Sequence, residues 1–327
     1  METIIFQIPQ SKHKLKSVNI TYDSIKPSKL IKYGFNHEVN NLNLVELTSD
    51  PHYTAGLNFD LEKKPVYSNF SLTHAEFWEI FVTFDLMTND QSIKTSHPDI
   101  VEDLIKTYGE LVKKVTKVTV NKGKKSNLII HKYSDVELEE VAALQLILSD
   151  IPDMLASQSK GSTMVMQLFS LQTNPMIELI YYLFTHYETV YIFRPNVTSN
   201  LNSQSYLICT NLLDTINLPK MEIPQDMYVS SLSLEISPSF ATCVQCFNSE
   251  IIPQKIVTYN KIKAYLDSKV YEGATYQEMI NVQDENVKKW NVKYVEKLKD
   301  LPKALTSGLE RTQKKCDFTS KLESLFG

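Results

Sequence analysis

The sequence predicts an α/β protein whose sheet is assembled through crossover helices. Three observations carry that prediction. Short apolar or alternating runs recur between residues 115 and 210, separated by amphipathic segments at helical period. A chain of 327 residues with 43% hydrophobic content can bury a large core. Charged residues make up 22%, too few to hold the chain unfolded.

The elements follow in order. Ile4-Ile5-Phe6-Gln7-Ile8 reads as a strand stopped by Pro9, and Lys12, Lys14 and Lys16 follow in a polar run. No helical period is convincing before residue 70. From Ser71 to Thr88, Phe77, Phe81 and Phe84 fall on one helical face beside Trp78, which predicts a core-facing helix ahead of a base-stacking platform. Ser96-His97-Pro98-Asp99 starts the next helix, with Ile100, Leu104, Tyr108, Leu111 and Val115 as its stripe. Val115 to Val120 alternates as a strand, residues 121–126 form a turn, and Asn127 to His131 is a short buried strand. Ser134 or Asp135 caps a helix running through Leu148. Lys160-Gly161 closes the segment after it, and Thr163 to Phe169 is then a strand. Pro175 to Tyr187 is an amphipathic helix. Thr189 to Phe193 and Tyr206 to Thr210 are strands able to pair as an antiparallel hairpin. Residues 213–260 are punctuated by Pro219, Pro224, Pro238 and Pro253 and stay ambiguous. Residues 258–327 are helical and lysine-rich, with Val287, Trp290, Tyr294 and Leu298 on one face. No internal repeat is visible.

Composition excludes several classes. The net charge is -4, so nucleic-acid binding would have to come from a local patch. Lys113, Lys114, Lys117, Lys122, Lys124 and Lys125 form such a patch, set against the plainer reading of a solvated helix end and turn. Among 34 basic residues only Arg194 and Arg311 are arginines, which leaves few places for bidentate phosphate recognition. Cys209, Cys243, Cys246 and Cys316 make no disulfide framework. Cys243-Val-Gln-Cys246 lacks a second ligand pair, so no metal site is expected and both read as ordinary thiols on or near a strand. The eight glycines are scattered, with none clustered as a cofactor-cradling loop requires. With no signal peptide and no apolar run of membrane length, the expected location is cytoplasmic, without a membrane partner.

Residues 160–209 resemble FtsJ-type RNA ribose 2'-O-methyltransferases, nearest to those of large cytoplasmic DNA viruses. The likeness lies in Lys160-Gly161 and the strand through Gln167-Leu168-Phe169, then Glu188 to Arg194-Pro195, and Thr198-Ser199-Asn200-Leu201-Asn202-Ser203-Gln204-Ser205-Tyr206. The Asn-Ser-x-x-Tyr segment is its most specific part. With the preceding strand the likeness spans about residues 126–212. The resemblance implies a Rossmann-like methyltransferase sheet with a divergent N-terminal half and a helical C-terminal extension. Its boundaries fall at residues 1–70, 71–215 and 216–327.

The resemblance also implies a Lys-Asp-Lys-Glu tetrad, in which a lysine deprotonates a ribose hydroxyl that attacks S-adenosylmethionine. Here Gln167 stands at the central lysine, Gln204 at the glutamate, Ser199 at an accompanying arginine, and His131 at the aspartate. The first lysine has no assignable position. A glutamine cannot take the proton, so His131, Gln167 and Gln204 are expected to mark a vestigial site with no cofactor. The resemblance therefore implies a non-catalytic subunit of a viral capping or transcription complex that holds a protein partner. The tail with Trp290 and Tyr294 is a candidate docking element, set against the plainer reading that these aromatics pack the tail on its own sheet. Two alternatives stand beside it: an active S-adenosylmethionine-dependent cap 2'-O-methyltransferase, and an RNA-binding module using the lysine patch, expected beside the vestigial active-site edge, and Arg194. His131 as a replacement base is set against its plainer reading as a structural histidine.

Overall fold

The computed structural model describes residues 4–8, 18–29, 71–135, 138–200, 203–214, 218, 223–268 and 274–298. Lys12, Lys14, Lys16, Arg311 and Cys316 lie outside them.

Strands β1 (Ile4–Ile8), β3 (Ser92–Thr95), β4 (Thr119–Val120), β5 (Ser126–His131), β6 (Gln158–Leu168), β7 (Tyr187–Arg194) and β8 (Ser205–Leu212) form one sheet. Its order is β1-β7-β8-β6-β5-β3-β4. β4, β3, β5 and β6 run parallel, and β8 inserts antiparallel between β6 and β7. β2 (Thr21–Asp23) and β9 (Tyr228–Ser231) form a separate antiparallel pair. This is a Rossmann-like α/β architecture, and the hairpin expected from the 12-residue loop is present as β7 and β8.

Helices cover both faces, as buried parallel strands require. On one face lie α1 (Leu72–Phe84), α2 (Pro98–Leu111) and α6 (Ala274–Asn291), the last continuing into a single wide turn at Val292–Glu296. On the other lie α3 (Glu140–Ala156), α4 (Asn174–Phe184) and α5 (Pro238–Ser268). Strand alternation assigns side chains to these faces. Ile129, Met164, Met166 and Leu168 join the α3–α5 core, while Leu128, Ile130, Val165 and Tyr206 join the α1–α2–α6 core.

Several elements differ from expectation. The strand at 115–120 shrinks to Thr119–Val120, because residues 112–118 are largely exposed and, among the described residues, have no neighbouring strand to pair with. The helix expected from Ser134 starts at Glu140. Ser134 gives both its N–H and its C=O to Gln167, and neither is left for a helix N-terminus. That helix also continues through Pro152 to Ala156. β6 begins at Gln158, with Gly161 at φ 80° where the register to β5 shifts, so the glycine bends a strand that was expected to start only after it. Cys243 and Cys246 are buried on helix α5 and not on a strand, and Cys243 Sγ lies 3.9 Å from Gln7 O of β1, near a strand as expected. Phe77 and Phe81 are fully buried, which makes their helix a core element.

Candidate functional site

In an open α/β sheet, ligands gather where strand order reverses, outside the carboxyl ends of the strands. Here the chain leaves β3 outward for β4 and resumes at β5 on the other side of β3, so the crevice lies at Thr95-Ser96-His97 and His131-Lys132. Two of its backbone donors are already used. Ser96 N–H donates to Ile130 O (3.3 Å), His97 N–H to Thr95 Oγ1 (3.1 Å), and Pro98 has none. Each half of a doubly wound sheet ordinarily carries three strands. On the β3 side the described residues supply two, and β4 has only two residues.

Along this edge α1 lies over the sheet and closes a buried polar cluster. Its N-terminus is shaped by His74, whose Nδ1 accepts from Ser71 N–H (3.1 Å). Thr73 and Glu76 then face the sheet. Lys132, with a side chain 1% exposed, donates to Thr73 Oγ1 (2.7 Å), Glu76 Oε2 (2.8 Å) and Asp135 Oδ1 (2.8 Å). Its three N–H bonds all end on oxygen. Glu76 also accepts from Tyr206 OH (2.7 Å) and from Gln204 Nε2 (2.9 Å). Burial pushes the Glu76 carboxyl up, and the Lys132 charge works against that shift. Burial and then the Glu76 charge push the Tyr206 phenol well above its ordinary range, so it stays a donor.

Gln167 is fully buried beside this cluster. Its Oε1 accepts from Tyr133 N–H (2.7 Å) and Ser134 N–H (3.0 Å), and its Nε2 donates to Ser134 O (2.7 Å). The amide therefore organises the chain leaving β5. Gln167 sits opposite Tyr206 in the ladder, two residues from Gln204.

The sequence expectations sort clearly against this geometry. Gln167 and Gln204 lie near one another where β6 meets β8. His131 is not with them. β5 alternates, so Leu128, Ile130 and Lys132 face α1, while His131 turns away and meets Asp150 (3.6 Å) and the Tyr133 ring. Burial holds the His131 imidazole below its usual value, against the pull of Asp150. The buried charged residue at this end of β5 is Lys132, and the carboxylate beside it comes from Glu76 on α1. Sequence reasoning missed both. Lys132 lay one residue beyond a correctly read strand, and Glu76 was hidden in an apolar helix, where an acid between Ala75 and Phe77 was itself a signal.

The lysine patch lies at the other end of the sheet. Lys122, Lys124 and Lys125 precede β5, roughly 20 Å from Lys132 at about 3.3 Å per residue. Lys113 pairs with Asp85 (2.7 Å), Lys117 with Asp90 (3.2 Å), and Lys125 donates to Ala156 O (2.7 Å) and Gln158 O (3.0 Å). Lys114, Lys122 and Lys124 are exposed. Arg194 is buried and donates to Ser199 O (2.7 Å) and Gln204 O (3.3 Å), so it staples the loop after β7. Ser199 thus keeps a role through its backbone.

A second buried carboxylate ties the tail to the same helix. Glu79 accepts from Asn196 N–H (2.7 Å), Asn196 Nδ2 (3.0 Å), Val197 N–H (3.0 Å) and Trp290 Nε1 (2.8 Å), while Trp78 Nε1 donates to Tyr294 O (2.8 Å). Trp290 and Tyr294 are consumed inside the molecule.

Over its whole length the chain is 36% identical to an uncharacterized protein of Acanthamoeba polyphaga mimivirus, which it also covers in full. The chain belongs to the family of that viral protein. No protein-family model matches it. Over an alignment of 142 positions that covers 40% of the chain, it is 28% identical to the cap-specific mRNA (nucleoside-2'-O-)-methyltransferase 1 of Dictyostelium discoideum, of whose length the alignment covers 18%. The viral family is thus distantly methyltransferase-related over part of its chain. Among the described residues no helix is long and apolar enough to cross a membrane.

Proposed function

We propose that the chain is a non-catalytic methyltransferase-fold subunit of a viral mRNA capping or transcription complex, acting by holding a protein partner. One observation carries the reading. Where a ribose hydroxyl would need a proton-accepting amine, Gln167 offers an amide spent on the backbone of Tyr133 and Ser134. The nearest amine, Lys132, has each N–H on an oxygen and no lone pair to offer in this arrangement. The described residues do not fit S-adenosylmethionine either, since among them the β3 end has no glycine cradle and the N–H groups of Ser96 and His97 are taken. The distant relation to a cap methyltransferase supplies the capping context.

The test is methylation of capped RNA with labelled S-adenosylmethionine, alongside calorimetric titration of the cofactor. The expected results are no transfer and no binding. The chain purified from infected cells should also carry a capping or transcription enzyme. Methyl transfer that disappears in Lys132→Met, with the variant still folded, would establish the active alternative and remove this reading.

A further inference from the structure

Beneath Asp135 the fold contains an oxyanion slot that is independent of the partner-holding role. Asp135 has a side chain 74% exposed, yet its Oδ1 is gripped by two donors from the interior, Lys132 Nζ (2.8 Å) and Thr73 Oγ1 (2.9 Å). Exposed carboxylates ordinarily gain little from an ion pair, because water competes for them. The slot itself is built. Lys132 and Thr73 are both buried, and Thr73 is oriented by accepting from Lys132 with its lone pair, which aims its hydroxyl proton outward. The slot lies at the strand-order reversal, where α/β sheets place ligands.

Charge decides whether Asp135 can leave. Glu76 remains on Lys132 whatever Asp135 does, so withdrawing Asp135 strands no unpaired buried charge. Only an exposed side chain has to swing into water. The inner pair is structural and the outer anion is exchangeable.

We propose that Asp135 is an internal stand-in for the oxyanion of a ligand, a phosphate or carboxylate group that displaces it onto Lys132 Nζ and Thr73 Oγ1.

The experiment titrates inorganic phosphate and acetate into the full-length chain by calorimetry, at constant ionic strength with chloride as the balancing anion. Wild type, Asp135→Asn and Asp135→Ala are compared. Freeing the slot should tighten binding of one anion by about tenfold or more, as expected for removal of a competing charge-assisted hydrogen bond. Phosphate preference would identify a phosphorylated ligand and acetate preference a carboxylate. Adding Thr73→Val to Asp135→Ala should abolish the gain while Lys132 and Glu76 stay paired. Equal heats for all variants, or a gain that survives Thr73→Val, would overturn the slot. If both Asp135 variants fail to fold by circular dichroism, Asp135 is a structural ligand of Lys132 and the exchange idea is wrong.

Discussion

At the scale of single residues, the cluster pairs one buried acid with one buried amine, Glu76 with Lys132. Gln204 donates to Glu76, while Gln167 is held by the backbone of Tyr133 and Ser134. The energetics are asymmetric. Removing one member of a buried pair strands the other charge and costs about 3–5 kcal/mol, whereas an apolar pair of similar size is often tolerated. Lys132→Met should therefore destabilise by about 3–5 kcal/mol, and adding Glu76→Leu should recover a large part of that loss. Urea titrations of the two single variants and the double variant measure the coupling. A double variant as unstable as the sum of its parents would deny the pairing. The glutamines were legible in sequence because Gln167 and Gln204 fall within quoted motifs. Glu76 and Lys132 were not, since their meaning lies in contact across 56 residues of chain.

At the scale of elements, α1 joins the cluster through Glu76 and the tail through Glu79, one turn apart on the same helix. Its first turn depends on His74 Nδ1 accepting a hydrogen bond, which a protonated imidazole cannot do. Burial also lowers the His74 pKa from 6.5. The sign follows directly. The unfolded chain takes up this proton at a higher pH than the folded one, so stability is lost as pH falls below about 6.5 toward the folded value. His97 and His131 are shifted the same way, chiefly by burial, and add to the slope. His74→Gln keeps an acceptor at the third position of the helix without titrating. It should preserve stability at pH 7.5 and flatten the decline between pH 6.5 and 5, read as melting temperature against pH. An unchanged slope would remove His74 from the account. Elements with clear period or punctuation, such as β5, α2 and the β7–β8 hairpin, were readable from sequence. The start of α3 was not, because Ser134 had capping chemistry but a remote glutamine claimed its backbone.

At the scale of the whole molecule, the lysine patch and the buried cluster occupy opposite edges of the sheet, and the C-terminal helix is part of the core on the cluster side. Sequence period correctly placed Val287, Trp290, Tyr294 and Leu298 on one face, but period alone cannot say whether that face meets a partner or its own fold. The structure decides through polar atoms. Trp290 Nε1 and Tyr294 O each find a buried partner on α1, which an added appendage would not need. Removing α6 and the turn after it would uncover Trp78 and leave Glu79 held only by the loop at Asn196 and Val197. A chain ending at residue 268 should therefore aggregate or lose its sharp unfolding transition. The milder Trp290→Ala should cost about 3–5 kcal/mol through the cavity it opens. Hydrogen exchange separates a core element from an appendage. In Trp290→Ala, protection should fall in α1 and at residues 196–197 as well as in α6. Loss confined to α6, with α1 protected as before, would show that the tail folds on its own and return Trp290 and Tyr294 to the candidates for partner contact.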